Sequence, residues 1–363
     1  MFELIFLIFL SSYFLQTVVF LIGTKKKFRQ LKESELPSVS IIVAARNEEE
    51  NILRCMTSLD NLIYPEGKLE ILLVDDRSTD KTGALISQFI EGKTKFRKVV
   101  TEENRGKLKG KTNALAAAIK FAKGEVILTT DADCEVNPSW AKTLASYYLP
   151  DVGLVNGFTS QEYYNNFSGM QNLDFIYLLT VAAGTINYNL PLSCIGNNMS
   201  YRKSAYDEVG GYENLPFSVT EDFNLLFAIH KLKKYKVIYP FDRDAHVISK
   251  PCSSLRDLYR QKKRWGVGGM KSPLRGYLVM TSGFVAHIAI LISPFFFSPV
   301  VAGLIVFKLI IDFMFLYVIL KELSIADSLK YFLAFEIYFI LYVVLLPFIV
   351  LPSQKVKWKD RTF

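Results

Sequence analysis

Apolar residues crowd the two ends of the chain, whereas its middle alternates short apolar runs with polar ones. Phe2 to Gly23 reads FELIFLIFLSSYFLQTVVFLIG, long enough for a hydrocarbon core of about 30 Å, and Lys25-Lys26-Lys27-Phe28-Arg29 follows at once. A cleaved signal peptide carries its charge before the apolar stretch and small residues after it. This segment has neither, so residues 1–24 are expected to be an uncleaved anchor. The chain turns apolar again from Tyr277 to Leu320 and once more from Tyr331 to Leu351. The first of these runs is too long for one helix, and Pro294 and Pro299 mark its break into two. Residues 277–352 therefore hold three candidate membrane segments and the whole chain four. Positive-inside bias at Lys25 to Arg29 places the middle of the chain in the cytoplasm. The basic tail, residues 353–363, should share that side, which three full crossings after the middle do not allow. Tyr277 to Phe297, with His287 and its prolines, is accordingly expected to be re-entrant or to lie in the interface.

Between Ser38 and Val136 the pattern is that of βα units. VSIIVAAR (Val39 to Arg46) predicts a strand, and Asn47 with Glu48 to Glu50 predicts a helix start whose acids suit the positive end of the dipole. LEILLVDD (Leu69 to Asp76) is the second strand, Ser78-Thr79-Asp80 opens a helix through Ile90, and Phe96 to Thr101 is a weaker third strand. Lys111 to Lys123 is helical and stopped by Gly124, and Glu125 to Thr130 is a fourth strand running into Asp131. Asn137 and Pro138 are expected to cap and begin a further helix. An α/β sheet domain over residues 36–250 follows, then a basic interfacial segment at 251–276.

Half of the 363 residues are hydrophobic and the formal net charge is +8. The Lys and Arg fall beside the apolar segments and around Arg256 to Arg275, where anionic lipid headgroups are the expected neighbours; no nucleic-acid partner is expected. Cys55, Cys134, Cys194 and Cys252 show no CxxC pairing and no His at zinc spacing, which predicts reduced, partly buried thiols. An integral membrane protein of a bacterial cell membrane, its middle cytoplasmic, is expected. Oligomeric state is not legible.

Open α/β sheets bind ligands beyond the carboxyl ends of their strands. Arg46-Asn47-Glu48, Asp75-Asp76 and Asp131-Ala132-Asp133 all fall at such ends. One acid there reads as a helix cap; three converging clusters make capping a poor sole explanation. No GxGxxG or GxxxxGK[ST] occurs in these turns. Asp131 and Asp133, with one residue between them, can direct oxygens at one hard divalent cation. Thr220-Glu221-Asp222 reads as the acidic first turn of an amphipathic helix, and Gln261-Lys262-Lys263-Arg264-Trp265 as a basic helix meeting lipid with its Trp at headgroup depth.

In this order, bracketed by apolar segments, these motifs resemble the membrane-embedded inverting glycosyltransferases of family 2, with their D, DxD, ED and QxxRW series. The resemblance covers roughly Leu36 to Gly269. It implies the GT-A fold, a mixed α/β sheet flanked by helices, with transmembrane helices at both ends. It also implies a UDP-sugar donor with Mg2+ or Mn2+. By resemblance, Asp133 is the stronger metal ligand, and Asp131 faces the ribose and metal-bound water. Asp76 meets the uracil, Asp75 braces its loop, and Ala44, Arg46 and Glu48 lie in the first nucleotide-contacting loop. Lys111 of GKTNAL stands beside the nucleotide. Asp222 is the base that deprotonates the acceptor, with Glu221 in support. Arg264 offsets charge on the departing diphosphate, Trp265 walls the acceptor, and Gln261 bonds the acceptor or holds its loop. Gly196 to Arg202 and Glu208 to Tyr212 are similar to acceptor-side elements. His230 and His246 are read as structural.

Two acceptors fit this resemblance: a lipid, as in ceramide and hopanoid glucosyltransferases, or a growing polysaccharide, as in chitin, hyaluronan and cellulose synthases. The small membrane part argues against a full polymer channel. Asp312 and Glu336, with Lys308 near the former, read as a helix–helix pair or a polar track. A third reading is a non-catalytic membrane subunit with a degenerate transferase domain.

Overall fold

The computed structural model describes residues 1–101, 108–270, 272–358 and 361–362. Lys359, Asp360 and Phe363 of the expected basic tail, and Lys271 of the expected interfacial segment, lie outside the described residues. The chain divides into an α/β unit, residues 26–160 and 194–250, and a helical unit, residues 1–25, 161–193 and 251–363. Residues 161–193, inside the range expected for the sheet domain, thus belong with the apolar helices.

In chain order the elements are α1 (Phe2–Thr24), β1 (Val39–Ala45), α2 (Ile52–Asp60), β2 (Leu69–Asp75), α3 (Thr82–Ile90), β3 (Phe96–Val100) and α4 (Lys111–Ile119). β4 (Val126–Asp131), β5 (Glu135–Val136), α5 (Trp140–Ser146), β6 (Val152–Asn156), β7 (Thr159–Gln161), α6 (Asn166–Asn187) and β8 (Met199–Arg202) follow. Then come α7 (Lys203–Glu208), α8 (Gly211–Asn214), α9 (Glu221–Lys231), β9 (Lys236–Ile238) and β10 (Val247–Ser249). The rest is mainly helical: α10 (Leu255–Gly269), α11 (Leu274–Ile292), α12 (Pro299–Glu322) and α13 (Phe332–Val350).

The α/β unit is built on a mixed sheet of order β3-β2-β1-β4-β8-β6-β9. β3, β2, β1 and β4 are parallel, β8 runs against β4 and β6, and β9 is parallel to β6. Ile41, Ile42 and Val43 are successive and all fully buried, as expected of parallel strands covered on both faces. Register places Ala45 opposite Asp75 and Ala44 opposite Asp131, so the acid-bearing ends of β1, β2 and β4 lie side by side. Gly124 lets the chain pass close behind this layer: a Cβ there would sit 2.3 Å from the Ser40 amide.

Two helix starts differ from expectation. α2 begins at Ile52, not directly after Asn47, because Asn47 takes a left-handed φ of 51° and the amides of Asn47, Glu48 and Glu49 bond Ser78, Thr82 and Asp80 instead. α5 begins at Trp140; Asn137 serves its approach by accepting the Ser139 amide.

Asn198 knits the far half of the unit together. Fully buried, it donates to the carbonyls of Phe158 (2.7 Å) and Ala245 (2.9 Å) and accepts the Trp140 indole N–H at 2.9 Å. Asn198→Leu strands all three and should cost about 3 kcal/mol, the desolvation of several buried polar groups. The expected reading is a fall in melting midpoint of roughly 6–12 °C. An unchanged midpoint would deny Asn198 this role.

In the helical unit, residues Phe2–Thr24, Leu274–Phe296, Pro299–Glu322 and Ala326–Val350 are each long and apolar enough to cross a membrane. The segment expected to be re-entrant or interfacial forms α11 with a 3-10 turn, Ser293–Phe296, at its end. α6 is buried over most of its length and packs on α1, α12 and α13. At its meeting with α1 the backbones touch, since a Cβ on Gly184 would lie 2.5 Å from the Phe20 carbonyl oxygen. Lys308 of α12 pairs with Asp312 (2.7 Å) and with Glu336 of α13, and Tyr13 donates to Asp312 at 2.6 Å. Of the two readings for these residues, the helix–helix pair is the one observed.

Candidate active site

The turns after β1 and β2 are laced together. Arg46 Nη1 donates to the carbonyls of Asp76 (2.7 Å) and Arg77 (3.0 Å), and Asn47 Oδ1 accepts the Thr79 amide at 2.9 Å. Arg46 therefore braces the second loop as well as standing in the first. Asp75 accepts the Ser78 amide at 3.0 Å, the bracing role expected of it. Asp76 is buried at the strand end, its Oδ1 accepting from Thr101 Oγ1 at 2.9 Å. Glu48 holds the Asn51 amide group at 2.7 Å, and Ala44 remains partly exposed in the same layer.

Lys111 links the third acid cluster to the fourth motif. Gly110, at φ 56°, lets the chain turn into α4, and Lys111 then reaches Asp131 Oδ1 at 2.6 Å and Glu221 Oε1 at 3.4 Å. Burial disfavours its charge, but Asp131, Glu221 and Asp222 outweigh burial and hold the ammonium above its usual range. Asp222 follows Glu221 in the first turn of α9 and accepts the Phe223 amide at 2.8 Å. Its place is set from the sheet: Thr129 Oγ1 on β4 donates to the Gly196 carbonyl at 2.8 Å, and a Cβ on Gly196 would lie 3.2 Å from the Asp222 carboxylate. The structure thus brings Asp131 and the Glu221-Asp222 pair to one edge.

Asp133 lies two residues beyond Asp131, its carbonyl held by Arg54 Nη2 at 2.9 Å. Behind it, burial pushes the thiols of Cys55 and Cys134 up, with Asp133 and Asp131 adding to the effect, so both stay protonated. His246, read as structural, is pushed down to about 4 by burial and Arg243 and is neutral at physiological pH.

Among the described residues, no group of three or more His, Cys, Asp or Glu side chains could hold a metal by itself. Asp131, its side chain 35% exposed, and Asp133 offer two hard carboxylates at a partly open strand end. That donor set fits Mg2+ or Mn2+ in sites completed by phosphate oxygens and water.

Gln261, Arg264 and Trp265 are carried by α10 in the helical unit, at i, i+3 and i+4. The Ser254 side chain caps this helix by accepting the Asp257 amide. Leu255 and Tyr259 are exposed, Lys262 is buried against Asp174 of α6, and the Trp265 ring stacks on Phe175 at 5.7 Å.

Sequence reasoning passed over Thr129, Thr101, Arg54 and Asp174. Thr101 closes the weak third strand at the same edge as the acids, a signal that could have found it. Thr129 and Asp174 contact partners 67 and 88 residues away and carry no local mark.

Residues 40–210 match the sequence model of Glycosyl transferase family 2, and residues 126–351 that of Glycosyl transferase family group 2. Among curated proteins, the Probable glycosyltransferase YdaM of Bacillus subtilis is 29% identical over 64% of this chain and 56% of its own length. A Beta-monoglucosyldiacylglycerol synthase of Nostoc sp. is 28% identical over 65% of this chain and 50% of its own. A Poly-beta-1,6-N-acetyl-D-glucosamine synthase of Staphylococcus epidermidis is 27% identical over 76% and 66%. The chain spans about half the length of the first two of these relatives. A solved structure of the mannosyltransferase PcManGT from Pyrobaculum calidifontis in complex with GDP-Man and Mn2+ aligns with TM-score 0.62. It covers 93% of this chain and 98% of its own at 19% identity, which establishes a shared GT-A fold.

Proposed function

The chain belongs to the family 2 glycosyltransferases, and from that premise we propose that it moves one sugar from a UDP-sugar to a lipid acceptor at the cytoplasmic face of a membrane, by a single inverting displacement. The observation that carries this reading is the double contact of Lys111, to Asp131 at the end of β4 and to Glu221 at the start of α9. One side chain ties the donor-side acids to the helix that mounts Asp222.

Asp222 takes the proton of the acceptor hydroxyl as that oxygen bonds to the anomeric carbon. The bond from this carbon to the diphosphate oxygen breaks, UDP leaves with the electron pair, and the configuration inverts. Asp131 and Asp133 would hold Mg2+ or Mn2+, which when bound offsets charge on the diphosphate. Asp76, Ala44, Arg46 and Glu48 recognise the nucleoside. Arg264, Trp265 and Gln261 keep the roles that the family resemblance implies, toward the leaving group and the acceptor.

The polysaccharide reading has the Poly-beta-1,6-N-acetyl-D-glucosamine synthases among the relatives in its favour. Against it, Lys308, Asp312, Glu336 and Tyr13 are buried and closed onto one another, which supports a packed helix bundle over a polymer path. Incubation with a panel of UDP- and GDP-sugars and membrane lipid tests the proposal. Nucleotide release with a UDP-sugar, and inverted anomeric configuration by NMR, are expected; turnover with GDP-sugars alone, or retained configuration, would contradict it. The non-catalytic reading predicts no nucleotide release at all.

Gly196→Ala probes the mount of Asp222. The added methyl stands 3.2 Å from Asp222 Oδ2, so the carboxylate must shift by a few tenths of an ångström. kcat should fall about tenfold at constant donor KM, since small misplacements of reacting groups are costly. A wild-type kcat would show that Asp222 is not held there for catalysis.

A further inference from the structure

Lys262 stands inside the QKKRW stretch at a position for which the sequence suggests no role. The other basic residues of α10 keep access to water, but Lys262 is 5% exposed. Its ammonium pairs with Asp174 of α6, which is wholly buried. Lys262 Nζ also lies 4.3 Å from the ring centroid of Trp265 and 5.0 Å from that of Tyr342 on α13, distances at which a cation is attracted to a ring. Phe175, the chain neighbour of Asp174, stacks on the same Trp265 ring with an interplanar angle of 22°. Two consecutive residues of α6 therefore hold Trp265, one through Lys262 and one directly. One residue beyond Trp265, α10 is pressed on α13: a Cβ on Gly266 would lie 2.7 Å from Val350 Cγ2.

An apolar pair of the same volume would fill this space with less desolvation, and such replacements are often neutral or stabilising. What an ion pair adds is direction. The Asp174 carboxylate also faces the Tyr338 hydroxyl of α13, so Lys262 and Tyr338 together fix its direction. We propose that Asp174 and Lys262 are positioning residues, whose buried pair fixes the rotamer of Lys262 and, with Phe175, the plane of Trp265, so that the indole meets the acceptor in one orientation. This rests on the acceptor-side role given to Trp265 above.

The test uses the full chain in nanodiscs, labelled with 5-fluorotryptophan at Trp140, Trp265 and Trp358, the Trp265 19F resonance being assigned with Trp265→Phe. The double variant Asp174→Leu/Lys262→Met removes the pair without stranding a charge, and its melting midpoint reports whether it folds. Transfer to the acceptor should fall about 100-fold, the scale of a misplaced substrate-positioning group. The KM for UDP-sugar and the slow hydrolysis of donor by water should not change. The Trp265 resonance should shift or broaden while that of Trp140, buried in the α/β unit, stays. Either a wild-type transfer rate or an unmoved Trp265 resonance in the folded double variant overturns the proposal. An inactive wild-type enzyme would count against sugar transfer alone, and the Trp265 resonance would still decide the positioning claim.

Discussion

Asp222→Asn lowers kcat about 1,000-fold, within the range lost when a general base is removed. The amide keeps the size of the carboxylate and an oxygen to accept the Phe223 amide at the start of α9, so the helix and its mount persist. Only the basicity is lost. The proposed base acts on the acceptor proton and not on the nucleotide, so the KM for UDP-sugar should stay near wild type, the signature of an interaction made in the transition state. Steady-state kinetics with a purified acceptor lipid checks both numbers. An equal rise in donor KM would move Asp222 from the base to the donor site.

Asp133→Ala lowers kcat/KM for the donor by about 100- to 1,000-fold, corresponding to the several kcal/mol that a metal contributes to charge stabilisation. Chelation of divalent cations should stop wild-type turnover, and Mg2+ or Mn2+ should restore it. The variant should need a higher metal concentration for half its maximal rate, because Asp131 alone would remain of the two carboxylates. Its melting midpoint should stay close to wild type, since Asp133 is partly exposed at a strand end. Full turnover of chelated wild-type enzyme would deny the pair this role.

The acid-bearing sheet edge was legible because its information is local. Each of β1, β2 and β4 carries a short apolar run with an Arg-Asn-Glu turn or an acid at its strand end, and parallel pairing then sets Ala45 beside Asp75 and Ala44 beside Asp131. The start of α2 was not legible, since the amides of Glu48 and Glu49 bond side chains more than thirty residues on. Asn166 to Asn187 shows neither a single apolar face nor an uninterrupted apolar run, because α6 is buried nearly all round and keeps Asp174 and Asn172 inside. Its contact with Lys262 joins residues 88 positions apart, and no periodicity reports a partner that far along the chain. The crossing of residues 161–193 into the helical unit is likewise a matter of tertiary packing.

Lipid mass spectrometry tests the central claim most directly. Purified wild-type protein and Asp222→Asn are incubated with membrane lipid and a panel of UDP-sugars, and the extracts are compared. The account predicts one new lipid species heavier by a single sugar, formed with matching UDP release and nearly absent with Asp222→Asn. A ladder of products, or the same species at the same rate from both proteins, would contradict it.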